Sequence, residues 1–134
     1  TYMLENGSNI VAYYAISPGS RLSVYTNDAV PASRFGARVE SDQPIAVERS
    51  TYFAGGRGGH SSVASSLLAQ EWYLPEGSTK APFREVIAVL NPSDRTANLA
   101  VTFMKVDGSS EVRYFAMNPS SRLTLEVNDL LPDT

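Results

Sequence analysis

His60 is the single histidine of the chain, and it stands beside two serines in Gly55-Gly56-Arg57-Gly58-Gly59-His60-Ser61-Ser62. A serine nucleophile needs an imidazole that converges on it from a separate segment, with a third group to orient the ring. Neighbours along one chain do not supply that arrangement, so a loop histidine satisfied by backbone is the expected role. The same glycines could cradle an anion through backbone N–H groups, with Arg57 assisting. No G-x-x-x-x-G-K-[ST] pattern accompanies them, so a flexible connector or a close backbone contact is expected instead. Asp94, Asp107, Asp129 and Asp133 are dispersed at turn positions, and no D-x-[DN]-x-[DN]-G loop is present to hold calcium. Cysteine is absent, which removes thiol nucleophiles, zinc–thiolate sites and disulfides together. No catalytic residue, metal or cofactor is expected, and the chain reads as non-enzymatic.

Trp72 and Tyr73 belong to a different class of chemistry, since adjacent aromatics can stack on sugar rings. They equally suit a plug at the edge of a sandwich. A cell-surface glycan is therefore the one outside ligand considered. A net charge of −3 and a pI near 5.1 carry no electrostatic footprint for nucleic acid or anionic membrane. No apolar run reaches the roughly 18 to 20 residues of a spanning helix, so membrane insertion is not expected. A hydrophobic fraction of 43% with 19% charged residues suits one globular domain.

The elements that must carry these residues announce themselves by repetition. Thr1–Pro31 aligns without a gap on Thr102–Pro132 at an offset of 101, with 14 of 31 pairs identical, where chance supplies about two. Such a period is too long for a solenoid and suits a sandwich domain. The chain holds one period and about a third of the next, so the parent protein is expected to continue on both sides.

Both copies read as strands. Thr102–Val106 is β-rich, Asp107-Gly108 signals a hairpin, and Glu111–Met117 is the partner strand. Asn6-Gly7 stands at the same place in the first copy and favours a type I′ turn. Pro18 and Pro119 set the next turn, and Leu123, Leu125 and Val127 then alternate with polar residues, as do Leu22 and Val24. Further strands are expected over Phe35–Ser41, Ile45–Phe53 and Ala97–Val106. Arg84–Leu90 reads as a strand buried on both sides, and Ser62–Gln70 admits a short helix. Arg21 and Arg122 are expected to brace the loops at Asn27-Asp28 and Asn128-Asp129.

The copies keep one apolar phase, Val11/Val112, Tyr13/Tyr114 and Leu22/Leu123, which is taken as inward. On the other phase Leu4, Ile10, Ala12 and Tyr25 stand where the second copy has Lys105, Glu111, Arg113 and Glu126. A solvated face favours the charged set. The apolar set implies a covered face, so Leu4, Ile10, Ala12, Tyr14 and Tyr25 form the expected self-association surface.

Several segments resemble the tandem repeats of secreted and cell-surface bacterial proteins that open on W-Y-F-A-E-G. The start stands as Trp72-Tyr73-Leu74-Pro75-Glu76-Gly77, with Leu and Pro replacing Phe and Ala. Asn91-Pro92, Ala97–Phe103, Ser121–Asn128 and Pro44–Phe53 match the later motifs in permuted order. The resemblance implies an all-β, antiparallel Ig-like β-sandwich on an extracellular bacterial surface. Residues 1–53 are then the back of one repeat, 54–70 a Gly/Ser-rich connector, and 71–134 the front of the next. Each part alone leaves unpaired edges. The parts complete one another within one chain or between subunits, as in a filament, sheath or surface layer. A carbohydrate-binding module is the alternative function.

Overall fold

A computed structural model describes residues 1–132; Asp133, assigned above to a turn, lies outside the described residues. In chain order the elements are β1 (Tyr2–Leu4), β2 (Asn9–Ile10), the helical turn α1 (Thr26–Ala29), β3 (Phe35–Ala37), β4 (Glu48–Phe53), β5 (Gly58–Val63), β6 (Val86–Asn91), β7 (Ala97–Met104), β8 (Ser110–Met117), β9 (Ser121–Glu126) and the helical turn α2 (Val127–Leu130). All strand pairs are antiparallel, and the protein is all-β apart from short helical turns. Thr1–Arg38 and Gly77–Thr134 fold together as one compact unit, and Val39–Glu76 forms a second.

In the first unit the hairpin turns follow from their residues. Asn6 Oδ1 accepts from the Ser8 N–H at 2.9 Å, and Asp107 Oδ1 accepts from the Ser109 N–H at 2.9 Å. Gly7 and Gly108 adopt φ of 85° and 82°. Each turn closes twice, from Gly7 N–H to Leu4 O and Leu4 N–H to Ser8 O, and likewise at Gly108 and Lys105. This is a three-residue loop with one left-handed glycine, not the type I′ turn expected, because the side-chain bond of Asn6 or Asp107 keeps that residue at negative φ. Both hairpins share one register, with Tyr2 opposite Ile10 and Phe103 opposite Glu111.

β1 lies between β2 and β3 in a three-stranded sheet, β6 pairs with β9, and β7 pairs with β8. The buried apolar side chains are Tyr2, Met3, Val30, Met117, Leu125, Val127 and Leu131. They come from both ends of the sequence. Tyr2 meets Phe35 edge to face at 5.3 Å, and β3 approaches so closely that a Cβ on Gly36 would lie 2.5 Å from Leu90 Cδ1. Glu5 pairs with Arg122 at 3.5 Å and also accepts a hydrogen bond from the Thr124 hydroxyl, while Arg34 reaches Glu126 at 3.1 Å. The first 38 residues and the part of the chain from Gly77 onward thus share one core, and exposed ion pairs, which contribute little to stability, trim its rim.

Several expectations are corrected here. Arg84–Leu90 reads from the sequence as buried on both sides, but Arg84, Val86 and Ala88 are exposed while Glu85, Ile87, Val89 and Leu90 are half-buried, so one face of the strand is solvated. Val112 and Tyr114, taken as inward, are 39% and 79% exposed, whereas Glu111 and Arg113 lie on the better-covered face. Glu111 binds both Lys105 and Arg113 there, so the charged residues satisfy one another while partly covered. The first copy reads from the sequence like the second, with Leu22 and Val24 alternating in a strand. Only Asn9–Ile10 is a strand, because β1 offers three residues for pairing and no strand lies along Ser20–Tyr25.

The second unit is a two-stranded ribbon, β4 against β5, in which no described residue is buried. The stretch that reads as a connector therefore carries a strand, and Ser62–Gln70, which admits a short helix, forms none. Glycine ordinarily weakens a strand, but Tyr52 is opposite Gly59 and Phe53 is opposite Gly58. A Cβ on Gly58 would lie 2.3 Å from the Phe53 ring, so the aromatic rings cover glycine backbone and replace the missing side chains. The ribbon has no core of its own, and such hairpins are marginal in water.

Glu126 accepts from Arg84 and faces Arg34, which holds its carboxyl below the usual glutamate value of 4.5. Lys105 and Arg113 hold Glu111 down likewise. Both groups ionise more readily in the folded chain, so their stabilisation is complete above the unfolded-chain value and fades as pH falls through the lower folded value. The urea midpoint is expected to hold between about pH 7 and pH 5 and to drop below about pH 4.5. Glu126→Gln is expected to flatten that drop; a midpoint rising on acidification contradicts the ion pairs.

Candidate functional site

The first unit contains a tight turn and a four-residue helix of matching sequence twice, once with an intervening strand paired to β6 and once without a strand. The partnered segment is Ser121–Leu130. Its strand β9 pairs with β6 along six positions, from Val86 opposite Glu126 to Asn91 opposite Ser121. The ladder continues into the helical turn, where the Val127 N–H donates to Glu85 O at 3.0 Å. Asn128 then fastens the loop that precedes β6. Its Oδ1 accepts from the Glu85 N–H at 2.9 Å, and its Nδ2 donates to Thr79 O at 3.1 Å and Phe83 O at 3.0 Å. The buried Thr79 hydroxyl donates to Leu131 O. At the other end Asn91 Nδ2 donates to Arg95 O at 2.7 Å and Asn118 O at 3.0 Å. Thr79–Asn91 is thus clamped along its whole length. The primary amides serve because one such side chain both donates twice and accepts.

The second segment, Ser20–Ala29, matches it at the turn and at the helical turn, without a strand between them. Ser20 Oγ donates to Ser17 O at 2.6 Å, as Ser121 Oγ does to Asn118 O at 2.7 Å. Gly19 and Ser120 both take positive φ, 66° and 47°. Tyr25 and Glu126 precede the helical turns with φ of −82° in each case, and ψ of 101° and 98°. The turns close from Val30 N–H to Thr26 O and from Leu131 N–H to Val127 O, both at 2.8 Å. Among the described residues no strand pairs with Ser20–Tyr25. Leu22 is 46% exposed and Tyr25 78%, while Asn27 is exposed and makes no hydrogen bond among the described residues. A groove of about 400 Å³ runs along this segment, lined by Tyr14, Leu22, Ser23, Val24, Tyr25, Asp28 and Ala29. Chemically it offers the exposed apolar side chains Leu22, Val24 and Tyr25 beside the Tyr14 ring, a surface suited to apolar packing.

The residues expected to mediate self-association are divided. Tyr14 and Tyr25 line this groove together. Leu4 is half-buried opposite Phe35, Ile10 is exposed opposite Tyr2, and Ala12 is half-buried beyond the end of β2. The Tyr14 hydroxyl lies 3.4 Å from that of Tyr2. That contact and partial burial push the Tyr2 phenol up to about 12. Arg122 reaches Glu5 beyond β1, and Arg21 is exposed. Trp72 and Tyr73 lie in the second unit with both rings exposed. The Trp72 indole N–H donates to Ala69 O at 3.0 Å. His60 stands opposite Thr51 on the ribbon, where Ser61 shares a 2.9 Å hydrogen bond with Ser50.

A second open surface lies on β7 and β8, where Met104, Val112 and Tyr114 are exposed on one face. Thr79 and Glu85 escaped the sequence reading although they complete the Asn128 clamp. The only available signal was the identity of Asn27-Asp28 with Asn128-Asp129, and it does not name a partner more than forty residues away. No family model matches the chain, and no curated protein or solved structure resembles it significantly.

Removing the Asn128 side chain would leave the Glu85 N–H and two carbonyls without it, so Asn128→Ala is expected to cost about 2–3 kcal/mol. Asn27→Ala, at the matching position of Ser20–Ala29, is expected to stay within about 0.5 kcal/mol. Urea unfolding of the two variants in the full chain measures the difference. Equal losses would mean that the two segments are not in different states.

Proposed function

We propose that this chain is a structural or adhesive extracellular repeat domain, built as an Ig-like β-sandwich with a period of about 101 residues. In this reading the sheet β2–β1–β3 and the pair β6–β9 supply the two layers, and the parent belongs to a bacterial cell surface. It assembles through β-sheet and strand-exchange contacts into a filament, sheath or surface layer. One observation carries this reading: among the described residues no strand pairs with Ser20–Ala29, in the same unit where its counterpart Ser121–Leu130 is paired with β6. The ribbon of the second unit supports it, because Tyr52, Phe53 and Val63 are exposed there with no core beneath them. Exposed ladders and apolar faces of this kind favour pairing with another β-surface.

Analytical ultracentrifugation of the full chain, followed by negative-stain electron microscopy, tests the proposal. Concentration-dependent oligomers, fibres or sheets are expected. A monomer that persists up to about millimolar concentration defeats the assembly reading.

Exposure of the adjacent Trp72 and Tyr73 rings favours carbohydrate binding as the second reading. A glycan array with the full chain decides it: binding that disappears in Trp72→Ala supports a glycan module, and no binding removes it.

A further inference from the structure

We propose that two copies of this chain join edge to edge through β7, in an isologous antiparallel pairing centred on Val101. The proposal rests on the assembly reading above and gives it one defined contact.

The edge is identified by comparison with the first copy. Phe103, Met104 and Lys105 align with Tyr2, Met3 and Leu4, and both hairpins share one register. β1 carries β2 on one edge and β3 on the other, with Met3 opposite Gly36. β7 carries β8 on one edge, and among the described residues no strand pairs with the other. The place that takes an antiparallel strand on β1 is therefore open on β7. Nothing in its sequence guards it. Ala97–Met104 contains no charged residue and no proline, whereas β8 has Glu111 and Arg113 and β9 has Arg122 and Glu126. Edges are ordinarily protected from pairing by such residues. β6 also lacks charge, but it is two residues shorter and runs directly into Pro92.

The occupant follows from symmetry and from charge. A twofold axis normal to the sheet keeps opposite residues on one face, so paired residue numbers must have an even sum. Centring on Val101 uses the whole strand. Leu99 then stands opposite Phe103 of the second copy, Ala100 opposite Thr102, and Asn98 opposite Met104. The half-buried side chains stay on one face and the exposed ones on the other. The same register carries Arg95 to Asp107 of the second copy, twice by symmetry. Arg95 is exposed, and its guanidinium has no partner among the described residues. Asp107 is exposed and engages only Oδ1, with Ser109. Centring on Ala100 would set Arg95 against Lys105, and centring on Thr102 would set it against Ser109. Each copy fills the edge of the other, so no existing pairing is given up. Two ribbons become one four-stranded sheet, which is more stable than a two-stranded one.

The chain has no cysteine, so single cysteines report the register directly. Val101→Cys sets two thiols opposite one another across the axis, where Cα atoms lie about 4.5–5.5 Å apart and a disulfide can close. Asn98→Cys, exposed on the same strand, sets them about 20 Å apart. Diamide oxidation of the full chain is expected to link Val101→Cys into dimers and to leave Asn98→Cys unlinked. Sedimentation gives a second reading. Arg95→Glu alone and Asp107→Lys alone are each expected to weaken dimerisation about tenfold, because like charges then meet at both ends. An equimolar mixture of the two is expected to recover it, since each variant meets its complement. Absence of the 101 cross-link, equal linking at 98, or a mixture no better than its components overturns the proposal. Dimers that stop at two, lost and recovered in this way, uphold the contact and remove the extended assembly. Fibres or sheets that persist in Arg95→Glu without the 101 cross-link uphold assembly and overturn this contact.

Discussion

The cross-strand pairing of β6 with β9, locked at its end by Asn128, is the interaction on which the remainder of the first unit depends. It brings Leu125 and Val127 into the core beside Met117 and Leu131, and it presents Leu90 to Gly36 of β3. Without it, Thr79–Glu85 would lose the side chain that satisfies its backbone, and β1 with β3 would lose the surface they pack upon. Backbone groups left dry and unpaired are costly, and this chain meets that cost with primary amides at both ends of one strand.

The same constraint explains why two segments of similar sequence differ in structure. Local chemistry is enough to form turns and helical turns, because their hydrogen bonds close within a few residues. The Asn6 and Asp107 turns, the Pro18 and Pro119 turns and the two four-residue helices accordingly agree. Strands need a distant mate, and only one copy has a full set. Sequence similarity preserved the capacity to pair; the presence of a partner decided whether the pairing formed.

Much of the architecture was legible for that reason. Alternation identified β7, β8 and β9, and glycine after Asn or Asp located both hairpins. Three features were not legible, each from a physical cause. The covered face of the β7–β8 hairpin was misassigned because both faces carry apolar residues, and Glu111 with Arg113 can lie on the covered face by pairing together. β5 was hidden by glycines whose missing side chains are replaced by the Phe53 and Tyr52 rings across the ribbon. The Asn128 clamp joins residues distant in sequence, and periodicity carries no information about such a contact.

Met3 and Met104 occupy matching places in the two hairpins, yet Met3 is 1% exposed and Met104 75%. Thioether sulfur oxidises readily where peroxide can reach it. The chain therefore carries its own chemical reporter: Met104 sulfoxide should accumulate first, while Met3 and the buried Met117 stay reduced. Any event that lays a covering over β7 would register as resistance of that one sulfur to oxidant.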